Sequence, residues 1–250
     1  MAASRQPHPA RLLTMMFVGI MWQSGSTTER QAEAMSTQRL AEAIEKLRGA
    51  YGGLEAELAA RPPRCWSTLV DVVAGGPKAK SSDSPRVPLD QPEQLVKLPV
   101  EALQEALKVT GRDQRRAGAL QALANWWPGD DPDESWCEDH ERRHRELTAI
   151  RGVGHELVDR ILLLVLGLPA MPLSRAALRV GCRHGWSGLE SEYDEWQHLF
   201  RQAAELADSS LPEVWWLINR VGRSHCGSRP RCDDCPLESL LPEGGPYEPE

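Results

Sequence analysis

Three cysteines lie within ten residues near the end of the chain, at Cys226, Cys232 and Cys235. Thiols this close together are typical of a metal site, because one short loop then supplies several ligands to the same ion. A zinc ion would complete its four ligands with an imidazole, and His225 directly precedes the first cysteine. The residues alone leave a metal-bound loop and an empty loop as alternatives.

A second candidate site is a glycine-rich bend, in which Gly152, Val153 and Gly154 precede an apolar run. Glycine permits positive φ angles and lets the backbone approach a ligand closely. The free N–H groups of such a bend, with the N-terminus of the following helix, are suited to bind a phosphate oxygen. The pattern predicts a helix-hairpin-helix that contacts a nucleic-acid backbone without reading its sequence. A tight turn between two packed helices gives the same short pattern.

The overall charge limits this interpretation, since the 250-residue chain has a formal net charge of −7. Binding to phosphates depends on Lys and Arg side chains that displace counterions, so a nucleic-acid site must be local. The best basic cluster lies around the three cysteines and contains Arg220, Arg223, Arg229 and Arg231. Four arginines there would give a salt-sensitive site on an acidic protein.

Apolar residues recur at helical spacing along most of the chain, and no useful run shows the alternation of a strand. The sequence therefore predicts an all-α protein of one or two domains. Residues 157–166 are apolar on nearly every face, so this helix should be central and buried. We expect irregular structure over residues 78–90 and 128–142. The predicted helices cover residues 37–51, 99–109, 113–127, 157–166, 193–206 and 212–221.

The N-terminus contains an apolar run, residues 12–22, that follows two arginines and mimics a signal peptide. The run is too short to span a bilayer, and no small-residue cleavage site follows it. We therefore expect residues 1–36 to be a disordered or mis-called extension, with secretion as the alternative. The predicted location is the cytoplasm, with no membrane partner.

Four short motifs stand in a characteristic order after the glycine bend. They are the hairpin at 147–158, Gly-Leu-Pro at 167–169, Leu-Ser-Arg at 173–175 and Arg-Val at 179–180. This order resembles the endonuclease III superfamily of helix-hairpin-helix DNA glycosylases, which act in base-excision repair. The resemblance extends over roughly residues 37–241 and is strongest in the hairpin region and around the cysteines.

The resemblance implies two helical lobes with DNA bound across the cleft between them. Residues 64–168 would form a central helical barrel that contains the hairpin. Residues 37–63 and 169–241 would pack together as a second lobe that carries the cysteine loop. Residues 242–250 would be a tail.

The residues that perform catalysis in this family are replaced at both matching positions. Glu156 stands where bifunctional members have a lysine that forms a Schiff base with the sugar, and a carboxylate cannot form that imine. Ser174 stands where the family has an aspartate that supports positive charge on the sugar. Glu156 could itself supply the carboxylate, by activating a water or stabilising the sugar cation. The alternative is a carboxylate that only favours its helix N-terminus.

The cysteine loop also departs from the family pattern, which is C-x6-C-x2-C-x5-C and holds a 4Fe–4S cluster. The first interval is one residue shorter here, and the fourth cysteine position falls at Leu241. Such a cluster normally takes one thiolate per iron. An incomplete 4Fe–4S site, a zinc site and an empty loop therefore remain as alternatives.

The function predicted from the resemblance is base-excision DNA repair of the endonuclease III type, with the usual catalytic lysine and aspartate replaced. We expect a monomer that binds double-stranded DNA independently of sequence. The alternatives are a non-catalytic protein that binds DNA structure through the hairpin, and a scaffold that no longer binds DNA. The expected DNA contacts are Gly152, Val153, Gly154, His155, Arg175 and Arg223.

Overall fold

The computed structural model describes residues 27–52, 65–75, 89–129, 139–188 and 190–247. These residues form α-helices and short helical turns, with no β-strand among them and a single isolated bridge between Cys226 and Pro230. The predicted all-α fold is confirmed. The helices are α1 (Thr27–Tyr51), α2 (Trp66–Ala74), α3 (Pro92–Leu95), α4 (Val100–Val109), α5 (Ala117–Trp126), α6 (His140–Thr148), α7 (His155–Ile161), α8 (Arg175–Arg183), α9 (Tyr193–Leu206) and α10 (Leu211–Ser224).

The buried apolar residues form two separate clusters, and the first surrounds helix α7. Helices α2, α4, α5 and α7 supply most of this cluster, which ends at Ala170. Helix α7 continues into a π-helical turn, Leu162–Leu166, and ends where Gly167 adopts a left-handed φ of 70°. That conformation is favourable for glycine and stops the helix cleanly. The apolar run predicted to be a central helix is therefore buried as expected.

The second cluster combines the two ends of the described chain. It contains residues of helix α1 and buried residues from Met171 onwards. Helix α1 contributes Leu40, Ile44 and Leu47 to it, and α8, α9 and α10 supply most of the remainder. Trp215 on α10 packs against both clusters, so this helix contributes to the join between them. An ion pair between Arg48 and Glu213, 2.9 Å long, fastens α1 to α10.

Several helix boundaries differ from those predicted, and helices α3 and α8 were not predicted. Helix α1 begins at Thr27 instead of residue 37, because polar residues with high helix propensity extend it before the first buried position, Leu40. Residues 27–36 of the predicted extension are therefore helical, whereas residues 1–26 lie outside the described part. Helix α6 was not predicted, since its sequence is almost entirely charged; Asp139 caps it through the Arg142 N–H.

No helix within the described ranges is both long enough and apolar enough to cross a membrane.

Helix α8 packs closely against α9 at Gly181. A substitution at this position therefore tests the packing of the second cluster. A Cβ atom at Gly181 would lie 2.4 Å from the ring of Trp196, a side chain that is only 2% exposed. We expect Gly181→Ala to lower the free energy of unfolding by about 1–3 kcal/mol, because the buried ring cannot move away. Urea unfolding measures the change. Gly49→Ala is the control, since its Cβ would meet no atom within 4 Å, and an equal loss in both variants would contradict the packing argument.

Candidate nucleic-acid interface

The two glycines of the hairpin have different roles in the structure. Gly152 adopts a φ of 88°, which a residue with a side chain rarely adopts. Gly154 has an extended conformation, with φ −85° and ψ 169°, and is the N-cap of α7. The expectation that both glycines use positive φ is therefore correct only for Gly152. Between them, Val153 is buried in the first cluster and anchors the bend.

The first turn of α7 exposes backbone N–H groups that have no internal partner. The Gly154 carbonyl accepts from the N–H groups of Leu157 and Val158. Among the described residues, no backbone acceptor is recorded for the N–H groups of Gly154, His155 and Glu156. A helix N-terminus with such donors favours an anionic ligand. Since Gly154 has no side chain, the backbone at this end of the helix is open to a bound group.

The bend is also held from behind by a cation. Arg116, in the 3₁₀ turn Gln114–Arg116, donates from Nη1 to the Gly152 carbonyl over 3.4 Å. This hydrogen bond lies at the protein surface. A single arginine therefore joins the hairpin to the turn that precedes helix α5.

Glu156 lies in the first turn of α7 with its side chain 35% exposed. Its Oε1 is 3.8 Å from Nε of Arg160, one turn further along the helix. A carboxylate at this end of the helix is favoured by the helix dipole, and the arginine partly offsets its charge. The group is therefore accessible from solvent and lies beside the free N–H groups.

Ser174 is the N-cap of α8, and both functions of its hydroxyl are used within the protein. The oxygen accepts from the Ala177 N–H at 3.1 Å, and the hydroxyl donates to Oδ1 of Asn219 at 2.6 Å. Asn219 is buried and in turn donates to the Trp215 carbonyl. Ser174 thus has a clear structural role as a helix cap, and its hydroxyl is neutral.

A buried acid near the hairpin was missed by sequence reasoning. Asp159 on α7 is 3% exposed, and its Oδ2 accepts from the Tyr193 hydroxyl at 2.5 Å and from Nε2 of Gln197 at 2.7 Å. Burial raises the pKa of the Asp159 carboxyl, and the hydrogen bond from Tyr193 opposes that shift. The available signal was an aspartate within the run predicted to be buried, where an unpaired charge is rarely tolerated.

Tyr193 connects the hairpin with the segment that contains Ser174. Its ring centroid lies 5.8 Å from that of His155, and its hydroxyl accepts from the Leu173 N–H at 3.4 Å. Burial, followed by the hydrogen bond to Asp159, raises the pKa of the Tyr193 hydroxyl. The structure therefore brings the matching positions 156 and 174 to the same region, with Tyr193 linking their two segments.

Comparison with known proteins supports this arrangement. No family model matches the chain. Over 160 residues, which cover 62% of this chain and 68% of the relative, it is 27% identical to endonuclease III of Bacillus subtilis strain 168. It also matches the solved structure of a trapped endonuclease III–DNA covalent intermediate, with a TM-score of 0.60 and 21% identity over 83% of this chain and 96% of the other.

Two further solved structures have the same fold. A non-covalent endonuclease III–DNA complex matches with a TM-score of 0.59 and 20% identity, over 83% of this chain and 96% of the other. A thermostable thymine-DNA glycosylase matches with a TM-score of 0.52 and 16% identity, over 85% and 96%. The resemblance predicted from the sequence is confirmed. The chain is similar in sequence to endonuclease III and similar in fold to its solved structures.

The arginines expected to contact DNA divide into free and occupied groups. Arg175 and Arg223 are exposed, and Arg223 follows Asn219 by one turn of α10. By contrast, the guanidinium of Arg220 stacks on the ring of Tyr51 at 4.4 Å, and Arg231 donates to the Ser224 carbonyl. All four arginines are exposed, but Arg220 and Arg231 also make contacts within the protein.

The cysteine loop lines a small pocket with an open volume of only about 10 Å³. Cys226, Cys232 and Cys235 all line it, and so does Leu241, at the position of the family's fourth cysteine. Within the described ranges, no three His, Cys, Asp or Glu side chains are arranged to hold a metal ion. Leucine cannot ligate a metal, so the residues present do not fit a cluster held by four thiolates.

Hydrogen bonds from helix α8 hold the cysteine loop. Arg183 is 3% exposed and donates to Sγ of Cys226 at 3.4 Å, to the Gly227 carbonyl at 2.7 Å and to the Ser228 carbonyl at 3.1 Å. Arg179 donates to the Cys226 carbonyl at 3.0 Å. Bonds from a charged donor to carbonyls in a buried place contribute more than ordinary ones. The loop therefore has a source of order other than a metal.

This arrangement predicts how the loop responds to substitution. We expect Arg183→Met to lower the free energy of unfolding by about 1–3 kcal/mol, because the buried Cys226 sulfur and two partly buried carbonyls lose their charged donor. Cys232→Ser should change it by less than about 1 kcal/mol, since the Cys232 thiol is not fully buried and holds no metal in this interpretation. Urea unfolding and elemental analysis check both. Two results would contradict the expectation. One is four irons per chain, and the other is a Cys232→Ser variant that loses both bound zinc and stability.

Proposed function

We propose that this protein binds double-stranded DNA at the hairpin, independently of base sequence, as a base-excision-type protein without imine-forming lyase chemistry. The observation that carries the proposal is the set of unpartnered N–H groups at the first turn of α7, exposed beside a residue with no side chain, Gly154. The solved structures with the same fold include two named as endonuclease III–DNA complexes, which supports DNA as the ligand.

The charges around the hairpin favour local binding on an acidic protein. The net charge of −7 opposes general affinity for a polyanion. The exposed side chains of Arg175 and Arg223, at the two helices joined by the Ser174–Asn219 bond, supply positive charge near the cleft. Binding through a few such contacts is weakened strongly by salt. DNA binding is also consistent with the cytoplasmic location and monomeric state expected from the sequence.

The absence of lyase chemistry follows from the groups at the two matching positions. Glu156 has no amine, so it cannot attack the sugar carbon to form an imine. The hydroxyl of Ser174 is bound to Ala177 and Asn219 and has no charge with which to stabilise a sugar cation. The best-supported function is therefore recognition of DNA structure without strand cleavage.

Gly154 offers a direct test. The fold has room for a side chain at this position, but that side chain would block the approach of a phosphate. A Cβ at Gly154 meets no protein atom within 4 Å, and its φ of −85° suits valine. We expect Gly154→Val to stay folded and to weaken binding of duplex DNA at least about tenfold, or about 1.4 kcal/mol, because the added methyl groups block the approach to the N–H groups. Fluorescence anisotropy at two salt concentrations measures the affinity.

The matched control is Gly49→Val, on helix α1, where a Cβ also meets no atom within 4 Å. This variant should bind DNA like the natural protein. Equal affinity of both variants and the natural protein would remove the hairpin from the proposed interface. No detectable binding at low salt would favour the scaffold alternative.

A second candidate function is base removal with Glu156 as the acid–base group. The observation that favours it is the position of this carboxylate, 35% exposed at the open end of α7 and 3.8 Å from Arg160. A carboxylate there could activate a water for attack on the sugar without any covalent intermediate. This reaction would release a base and leave the DNA strand intact.

Trapping experiments separate these two candidates from a lyase. With DNA that contains an abasic site and with borohydride, we expect no covalent adduct from the natural protein, because an imine needs an amine. Glu156→Lys should form an adduct if position 156 faces the sugar. Gel electrophoresis under denaturing conditions detects it. An adduct from the natural protein would show that another amine acts, and base release that Glu156→Gln abolishes would establish the second candidate.

A further inference from the structure

A buried polar cluster joins the hairpin helix to the second apolar cluster, and we call it the inter-lobe cluster. It consists of Asp159 on α7 with Tyr193 and Gln197 on α9. Asp159 is the only acidic residue among the buried polar and charged side chains of the described part. The carboxylate therefore lies between two helices whose apolar faces belong to different cores.

Both hydrogen bonds end on the same oxygen of the carboxylate. The Tyr193 hydroxyl and Nε2 of Gln197 donate to Oδ2 of Asp159, at 2.5 and 2.7 Å. A buried carboxylate is costly unless such donors compensate the loss of water. Because hydrogen bonds depend on direction, they define the rotation of α7 more narrowly than apolar contacts do.

The same two side chains also hold the backbone that leads to Ser174. The Tyr193 hydroxyl accepts from the Leu173 N–H at 3.4 Å, and Nε2 of Gln197 donates to the Met171 carbonyl at 3.2 Å. On the far side, Oε1 of Gln197 accepts from Arg201 at 2.6 Å. The inter-lobe cluster thus connects the hairpin helix, the segment 171–173 and helix α9 through one set of bonds.

The inter-lobe cluster lies close to the proposed DNA contact along helix α7. Asp159 lies one turn after Glu156, and the Tyr193 ring contacts His155 at the exposed end of the helix. A rotation or shift of α7 would therefore move the N–H groups of the first turn relative to Arg175, which directly follows Ser174. Preformed geometry of this kind lowers the cost of ordering a site when its ligand binds.

We propose that Asp159, Tyr193 and Gln197 are positioning residues, which align the hairpin with the 171–175 segment so that both contact one DNA duplex. This inference rests on the proposed function, since it concerns the same interface. The three residues do not touch DNA; they act through the orientation of α7.

Replacing tyrosine by phenylalanine isolates the hydroxyl. Tyr193→Phe leaves the ring against His155 but removes the bonds to Asp159 and Leu173. We expect its dissociation constant for duplex DNA to rise three- to tenfold, at a temperature where unfolding curves show the protein to be folded. Tyr51→Phe is the matched control, because that hydroxyl bonds Ser224 away from the inter-lobe cluster, and it should bind like the natural protein.

Rescue by a conservative variant distinguishes positioning from general stability. Asparagine keeps one side-chain oxygen, which suffices because a single oxygen accepts both bonds in the structure. We therefore expect Asp159→Asn to retain affinity within about twofold, whereas Asp159→Leu should lose as much as Tyr193→Phe or more. If the leucine variant does not fold, the two phenylalanine variants decide the matter.

The outcomes separate this inference from the proposed function. If the natural protein binds, Gly154→Val does not, and Tyr193→Phe binds like the natural protein, the positioning role is overturned while the hairpin interface stands. An asparagine variant as weak as the leucine variant also overturns it. If Gly154→Val binds as well as the natural protein, the proposed interface itself fails.

Discussion

Helix α7 is enclosed by apolar side chains along most of its length, yet its first turn is open to solvent. Burial of Leu157, Val158 and Ile161 fixes the helix within the first core, and the left-handed backbone at Gly152 leads the chain into it. Because the helix cannot shift without disturbing a packed core, its unpartnered N–H groups keep one position. The proposed interface, the place of Glu156 and the contact with the second core all depend on this constraint.

Ser174 and Glu156 both have roles in the fold that need no catalytic function. Ser174 still starts helix α8, since a serine hydroxyl accepts from the helix backbone as a carboxylate would, and its bond to Asn219 binds α8 to α10. Glu156 occupies the exposed start of α7 at little cost to the fold, because a carboxylate is favoured at that end of a helix.

The second core is ordered by directed contacts of arginine in addition to apolar packing. Arg48 bonds Glu213, and Arg183 fills a buried place beneath the cysteine loop, where it satisfies backbone carbonyls. Arg183 is buried and Arg48 is partly exposed, and both guanidinium groups bind partners within the protein. The net charge is negative because 36 Asp and Glu residues outnumber 29 Lys and Arg residues. A negative net charge of the whole protein is therefore compatible with local positive charge at Arg175 and Arg223.

The sequence by itself determined the all-α class, the central helix and the hairpin, because apolar periodicity and glycine pairs are local signals that lie within one segment. The prediction that Glu156 and Ser174 replace catalytic residues also rests on position in a motif alone, and it stays a prediction. Only the tertiary structure decided that Gly154 is extended, that the Ser174 hydroxyl is fully used, and that Asp159 meets Tyr193 and Gln197. These contacts join residues far apart in the chain, and they depend on side-chain directions that no local pattern contains.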